Sequence, residues 1–139
     1  MGVKLVIDQF YSIIRKYKDQ KIFLVLSGPS CIGKGPLEEV FFNEIIKNEK
    51  LIIGKCILYV GEIERPKRVG ESEGNPYYFK TIDKINTLVN SEPKRYIPFD
   101  VRGIKQMIDL NQVNELLLNN DIVFLEIYYT AIPLLRKFV

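Results

Sequence analysis

The sequence contains no histidine, and only two of its 139 residues are cysteines. The lack of histidine excludes a histidine-based catalytic triad, and two cysteines are too few soft ligands for a structural zinc site. A disulfide framework is not indicated either, so we expect a reducing, cytoplasmic setting. The net charge of +3 is too small to indicate a nucleic-acid partner by itself.

Long apolar runs are also missing, since no stretch approaches the length of a membrane span and no secretory signal opens the chain. Apolar residues nevertheless make up 47% and charged residues 27% of the sequence, which is the balance of a soluble globular protein. We therefore expect one domain over 1–139, with neither a membrane nor a nucleic acid among its partners. The oligomeric state stays open.

Helical and strand-like patterns alternate along the chain. Predicted helices cover 3–17, 36–49, 81–90 and 111–120, with Asn111 as the cap of the fourth and a last helical piece starting at Pro133. Predicted strands cover 22–27, 51–60, 77–80 and 121–129, whereas 61–76 is a predicted loop and 91–110 is ambiguous. This alternation predicts an α/β fold around a parallel sheet.

The segment "GPSCIGKG" between the first strand and the next helix fits the pattern Gly-x4-Gly-Lys. In such a loop the backbone N–H groups point inward and the following helix adds its positive N-terminus, which suits a phosphate. Lys34 would reach the outer phosphates as a mobile charge. The alternative is a strand–turn–helix connection whose glycines serve only the turn. The predicted phosphate-binding loop consists of Gly28, Pro29, Ser30, Cys31, Ile32, Gly33, Lys34 and Gly35.

Three residues of this region are unusual for a phosphate-binding loop. Gly35 has no hydroxyl to offer a magnesium ion, and Pro36 has no N–H to donate at the start of the helix. Cys31 is interpreted as a small space-filling residue, with a reactive thiol as the alternative.

A second group of residues lies in the predicted loop "ERPKRVGESEGNPYYF". Arg65 and Arg68 are spaced so that two planar guanidinium groups can bind one phosphate, and Tyr77 offers a hydroxyl. Gly70 and Gly74 are suited to shaping a tight loop. The alternative for this segment is a solvated basic turn.

Together the two segments resemble those of guanylate kinases, which carry "GPSxxGKG" and then "TRxPRxGExxGxxYxF". The residues that match the second motif in order and spacing are Arg65, Arg68, Gly70, Glu71, Gly74, Tyr77 and Phe79, and Pro66 stands one position before the proline of the motif. The resemblance implies a P-loop NTPase-type parallel sheet with flanking helices and a small inserted region that binds a nucleoside monophosphate (NMP). It further implies a P-loop core at 21–60, the NMP-binding region at 61–110 and a continuation of the core at 111–139, and the helix predicted within 1–20 is an addition to the family pattern.

The same resemblance implies ATP-dependent phosphoryl transfer to GMP or a related monophosphate, with Mg²⁺ and with Lys34 as the catalytic residue. The loop 28–35 would bind the ATP phosphates. The acceptor phosphate would be held by Arg65, Arg68 and Tyr77, with Glu71, Gly70 and Gly74 in support. Glu126 matches an acidic position near the phosphates and is a candidate metal-site acid, with a solvent-facing carboxylate at the strand end as the alternative.

Several departures from the family pattern leave a second interpretation open. Gly61 stands where family members usually have a residue with a hydroxyl group, and Tyr128 replaces an expected aspartate. The glutamate that normally binds the guanine base has no evident counterpart. The sequence reaches Val139 before the segment that forms the lid in this family, so we expect the lid to be absent. The alternatives are a catalytically weak or inactive nucleotide- or partner-binding module of the same fold, and a truncated form of a longer active enzyme.

Overall fold

A computed structural model describes residues 12, 16–17, 20–27, 39, 42–44 and 50–137 of the chain. The predicted phosphate-binding loop at 28–35 lies outside these residues. So do most of the predicted helices at 3–17 and 36–49, of which Ser12, Lys16, Glu39 and Phe42–Glu44 are described and are helical.

The described residues form strands and helices, and in two places several strands follow one another before the next helix. The strands are β1 (Ile22–Ser27), β2 (Ile53–Lys55), β3 (Tyr59–Gly61), β4 (Tyr78–Lys80), β5 (Tyr96–Val101), β6 (Ile104–Asp109) and β7 (Ile122–Ile127). The helices are α1 (Ile82–Ser91), α2 (Leu110–Asn119) and α3 (Ile132–Leu135), and a 3₁₀ turn at Tyr129–Ala131 precedes α3. No helix of these described ranges is both long and apolar enough to cross a membrane.

A three-stranded parallel sheet with the order β1-β7-β2 forms the first layer. Its central strand β7 is buried from Ile122 to Leu125, because strands of a parallel sheet are covered on both faces. The helix α2 packs against β2 and β7. The predicted α/β fold with a parallel sheet and flanking helices is thereby confirmed.

Most of the ambiguous segment 91–110 belongs to a second sheet, which has four strands in the order β4-β3-β6-β5. Within it β5 and β6 form an antiparallel hairpin that turns at Arg102 and Gly103, whose φ angles are 51° and 84°. Positive φ at both turn residues matches the twist of the strands, although arginine is uncommon at such a position. The sequence therefore lacked the Asn-Gly or Asp-Gly signal that marks most two-residue hairpin loops.

The prediction of one strand over 51–60 is wrong, because the chain changes sheets within it. β2 pairs with β7 in the first sheet, whereas β3 pairs with β4 and β6 in the second. The second sheet thus begins at Tyr59. At the crossing, Gln112 of α2 accepts a hydrogen bond from Ile57 N at 2.7 Å and donates one to Ile57 O at 2.9 Å. These bonds replace the ladder partners that Ile57 lacks.

We expect Gln112→Ala to destabilise the fold by about 1–3 kcal/mol, because it leaves a partly buried N–H and C=O without partners. Urea denaturation followed by circular dichroism measures this change. Asn114→Ala, on the exposed surface of the same helix, serves as the control. Equal stability of the two variants would contradict a structural role for Gln112.

The start of α2 also differs from the prediction, which placed the cap at Asn111. The helix begins at Leu110, and the Asp109 side chain accepts a hydrogen bond from Asn111 N at 3.0 Å. Asp109 is therefore the cap, while Asn111 lies inside the first turn and supplies the donor. Aspartate and asparagine are about equally good caps, so the sequence alone did not separate the two positions.

Candidate functional site

A cavity of about 340 Å³ lies between the two sheets, at the carboxyl end of the parallel strands. This edge is where open α/β sheets bind their ligands, and the volume is within the range of small-molecule sites. The first sheet and the residue that follows β7 contribute Lys55, Glu126, Ile127 and Tyr128 to its lining. The second sheet and its neighbouring segments contribute Leu58, Tyr77, Val101 and Gln106, and the loop before β4 contributes Arg65, Arg68 and Glu71.

Arg65 is held in place by a bidentate ion pair with Glu71. The Nη1–Oε1 and Nη2–Oε2 distances are both 2.8 Å, and Nη1 also donates to the carbonyl of Pro66 at 2.6 Å. The guanidinium lies over the rings of Tyr77 and Phe79, at 5.3 and 5.9 Å from their centroids. A guanidinium has five N–H donors, so these three bonds leave two for a ligand in the cavity.

Arg68 is oriented through its backbone and leaves its guanidinium available. Its N–H donates to Glu71 Oε1 at 2.8 Å, and its carbonyl accepts from Glu71 N at 3.0 Å. In the part of the chain that the structure describes, the Arg68 side chain has no ion-pair or hydrogen-bond partner. The cavity therefore has one fixed and one uncommitted guanidinium, an arrangement suited to a small anion such as a phosphate group.

Glu71 connects the two arginines, and its carboxylate accepts from Arg65 and from the backbone of Arg68. The hydrogen bonds from the Arg65 side chain, followed by that from Arg68 N, lower the pKa of Glu71 from 4.5 to about 2. The same ion pair raises the pKa of Arg65. Glu71 is thus ionised at neutral pH and positions Arg65 rather than acting as an acid or base.

This lowered pKa predicts how the loop responds to acid. The stabilisation from a carboxylate with a lowered pKa is complete above the unfolded value of 4.5 and is lost as the pH falls through about 2. We expect NMR of the Glu71 carboxyl carbon to give a titration midpoint near 2, and to give a midpoint that rises toward 4.5 in Arg65→Ala. A midpoint near 4.5 in the unmodified protein would contradict the ion pair.

Tyr77 and the loop glycines complete this end of the cavity. Burial raises the pKa of the Tyr77 hydroxyl, and Glu126 adds to the effect while Arg65 opposes it. The hydroxyl therefore stays protonated and can donate a hydrogen bond. Gly70 and Gly74 have φ angles of 84° and 82°, which other residues rarely adopt. At Gly74 a side chain would also approach the ring of Tyr78 to 3.3 Å.

Glu126 lines the cavity near the end of β7, in the parallel register opposite Leu26 of β1. β1 ends at Ser27, which is the last described residue before the predicted phosphate-binding loop. Among the described residues there is no group of three or more His, Cys, Asp or Glu side chains that could hold a metal. Mg²⁺ is commonly bound by one or two carboxylates together with substrate phosphates and water, so one carboxylate at this position fits that ion.

Five of the predicted site residues thus line one cavity: Arg65, Arg68, Glu71, Tyr77 and Glu126. The eight predicted phosphate-loop residues at 28–35, including Lys34, lie outside the described residues. The sequence interpretation did not include Lys55, Cys56 or Gln106, which also line the cavity. Gln106 carried a weak signal, as a polar residue inside the buried strand "IKQMID". Cys56 carried none; burial raises its thiol pKa to about 12, with a smaller effect from Asp109.

The chain is similar in sequence to curated guanylate kinases. It is 32% identical over 111 residues to the guanylate kinase of Prochlorococcus marinus (strain MIT 9312), covering 79% of this chain and 55% of that protein. It is 30% identical over 120 residues to the guanylate kinase of Mycoplasmoides gallisepticum, covering 85% of this chain and 57% of that protein. The chain thus spans little more than half the length of these relatives. No protein-family model matches it.

Among solved structures, the chain is similar to the crystal structure of guanylate kinase from Anaplasma phagocytophilum. The TM-score is 0.56 at 21% sequence identity, and the match covers 86% of this chain and 57% of that chain. At this identity the similarity shows the fold, which is that of the P-loop NTPases. Sequence similarity and fold together support a divergent guanylate kinase-like protein over the part of these relatives that the chain spans.

Proposed function

We propose that the chain is a nucleoside-monophosphate kinase of guanylate kinase type, which transfers a phosphoryl group from ATP to GMP or a related monophosphate. The observation that carries the proposal is the pair of arginines in one cavity, with Arg65 fixed by Glu71 and Arg68 uncommitted. A dianionic phosphate complements two guanidinium groups and a tyrosine hydroxyl. The similarity to guanylate kinases at about 30% identity supports the same function.

In this proposal the acceptor phosphate binds Arg65, Arg68 and the hydroxyl of Tyr77. Arg65 directs its two remaining N–H groups to the phosphate because Glu71 and the two aromatic rings fix its plane. Phosphoryl transfer needs little covalent chemistry from the protein, and its rate depends on holding the two nucleotides in line and neutralising charge. Fixing the arginine before the substrate arrives lowers the entropy lost on binding.

The donor side of the proposed site rests on residues 28–35, with Lys34 at the outer phosphates of ATP. Glu126 is the carboxylate proposed to face the Mg²⁺ that accompanies ATP, and this ion neutralises phosphate charge when bound. The proposed organisation is a P-loop core at 21–60, an NMP-binding region at 61–110 and a continuation of the core at 111–139. We propose a cytoplasmic location, in keeping with this substrate class.

A second candidate function is a nucleotide-binding module with weak or no catalysis. The sequence observation that favours it is the pair Gly35 and Pro36, which lacks the hydroxyl and one N–H that phosphate-binding loops usually offer. A lost hydrogen bond to a charged group weakens binding by about 1.5–3 kcal/mol. Such a loop would retain nucleotide affinity but hold ATP–Mg²⁺ less firmly.

Isothermal titration calorimetry tests the proposed function. Separate titrations with GMP, AMP, CMP, UMP and ATP–Mg²⁺ are expected to show binding of ATP–Mg²⁺ and of at least one monophosphate. The two ligands should bind at the same time, with each saturating in the presence of the other. Failure of every monophosphate to bind, with the protein folded, would contradict the proposal. Displacement of the monophosphate by ATP would also contradict it, because transfer requires both.

A further inference from the structure

One polar side chain of the cavity has no part in the arginine loop. Gln106 lies in the middle of β6, has only 8% of its surface exposed, and lines the cavity. Within the described residues its side-chain amide makes no hydrogen bond. Every described side-chain N or O atom that is sealed from solvent has a hydrogen-bond partner, so the unpaired amide atoms of Gln106 are accessible to solvent. The amide of this buried residue therefore opens into the cavity.

The position of Gln106 in the sheet shows how unusual this amide is. In the strand register Gln106 lies between Val60 of β3 and Phe99 of β5, and Phe79 of β4 is paired with Val60. Side chains of paired residues share a face, so these four form one row across the sheet. The other three are buried and apolar. An amide that opens into the cavity from this otherwise apolar row is available to hydrogen-bond a ligand there.

The chemistry of the amide distinguishes between parts of a ligand. A carboxamide presents donors on Nε2 beside an acceptor on Oε1, whereas a phosphate dianion offers only acceptors and would leave Oε1 facing negative charge. In the sheet, β3 lies between β6, which carries Gln106, and β4. β4 begins at the residue after Tyr77, which belongs to the proposed phosphate site. Neighbouring strands are about 4.8 Å apart, so β6 lies roughly 10 Å from β4. This strand separation is comparable to the distance between the phosphate and the base of a nucleoside monophosphate.

We propose that Gln106 is a specificity-determining residue that binds the base of the nucleoside monophosphate, with Nε2 donating and Oε1 accepting. Nucleobase edges carry a donor beside an acceptor, and glutamine pairs with such edges through both of its atoms. This inference rests on the proposed function, in which Arg68 and Arg65 hold the phosphate.

The test compares Gln106→Met with the unmodified protein by calorimetry, using GMP, AMP, CMP and UMP as nucleotides and ribose 5-phosphate as a probe without a base. Methionine keeps the length of the side chain and removes its hydrogen bonds. We expect the best-binding nucleotide to bind about tenfold more weakly, the effect of one or two neutral hydrogen bonds. Ribose 5-phosphate is expected to change by less than about twofold. Gln20→Met, at an exposed position, is the matched control.

Two results would overturn the inference while leaving the proposed function intact. One is unchanged nucleotide binding by Gln106→Met. The other is an equal loss for ribose 5-phosphate, which would assign Gln106 to the phosphate or sugar. Absence of all monophosphate binding by the unmodified protein would overturn both proposals together.

A second measurement does not depend on the variant folding. In isotopically labelled unmodified protein, the side-chain NH₂ signals of Gln106 are expected to shift on addition of the nucleotide and to stay in place on addition of inorganic phosphate. Signals that shift equally with both ligands, or with neither, would contradict the assignment to the base.

Discussion

Arg68→Ala is expected to weaken binding of the monophosphate by about 1.5–3 kcal/mol, the usual contribution of a hydrogen bond to a charged group. The reason is that the Arg68 guanidinium, which lines the cavity, has no hydrogen-bond or ion-pair partner within the described residues and is available to the phosphate. The backbone N–H of Arg68, which Glu71 binds, is kept in the variant, so the loop should keep its shape. Calorimetric titration with the best-binding monophosphate measures the change.

Lys67→Ala is the matched control for this prediction, since it removes a neighbouring positive charge that does not line the cavity. We expect it to change binding by less than about 0.5 kcal/mol, as is usual for an exposed charge. A similar loss in both variants would show that Arg68 acts only through the overall charge of the loop. Unchanged binding in Arg68→Ala would contradict the assignment of the acceptor-phosphate site.

Asp109→Ala is expected to lower the free energy of unfolding by about 2–4 kcal/mol, the combined effect of a lost helix cap and a broken, partly buried ion pair. Asp109 is 6% exposed and accepts from Arg95 Nε at 2.9 Å and from Nη2 at 3.1 Å, in addition to capping α2. It therefore joins the end of β6 to the start of α2 and to the segment that leads into β5. Removing it leaves the guanidinium of Arg95 without this partner.

Urea denaturation measures this loss of stability, with Asp100→Ala as the control. Asp100 lies in β5 of the same sheet and is exposed, so its replacement should change stability by less than about 0.5 kcal/mol. Equal stability of the two variants would mean that the Asp109 network contributes nothing beyond surface charge.

The sequence predicted the elements whose signal is local. The strands at 22–27 and 122–127 stand out as apolar runs, and the helix at 82–91 has a clear apolar face. The error at 51–60 arose because both strands within it are apolar, and periodicity does not reveal which sheet a strand joins. The hairpin at 96–109 was ambiguous because its turn carries Arg102 and Gly103 in place of a typical turn pair.

For the candidate site, the sequence predicted residue types but not their partners. The spacing of Arg65, Arg68 and Tyr77 pointed to a phosphate, and the structure brings these residues to one cavity. That Glu71 binds Arg65 through both oxygens follows only from the folded loop. The cavity position of Gln106 was also not predictable, since it depends on the register that sets β6 between β3 and β5.

Phosphorus NMR of a mixture of ATP, Mg²⁺ and GMP with the protein tests the proposed kinase activity most directly, because it follows each phosphate separately. We expect ADP and GDP to accumulate in equal amounts, both to require GMP, and Arg68→Ala to slow their appearance. AMP, CMP and UMP in place of GMP would show whether a related monophosphate is the better acceptor. If none of the four monophosphates gains a phosphoryl group, with ATP either intact or hydrolysed only to ADP and inorganic phosphate, the result would contradict a kinase and favour the binding module.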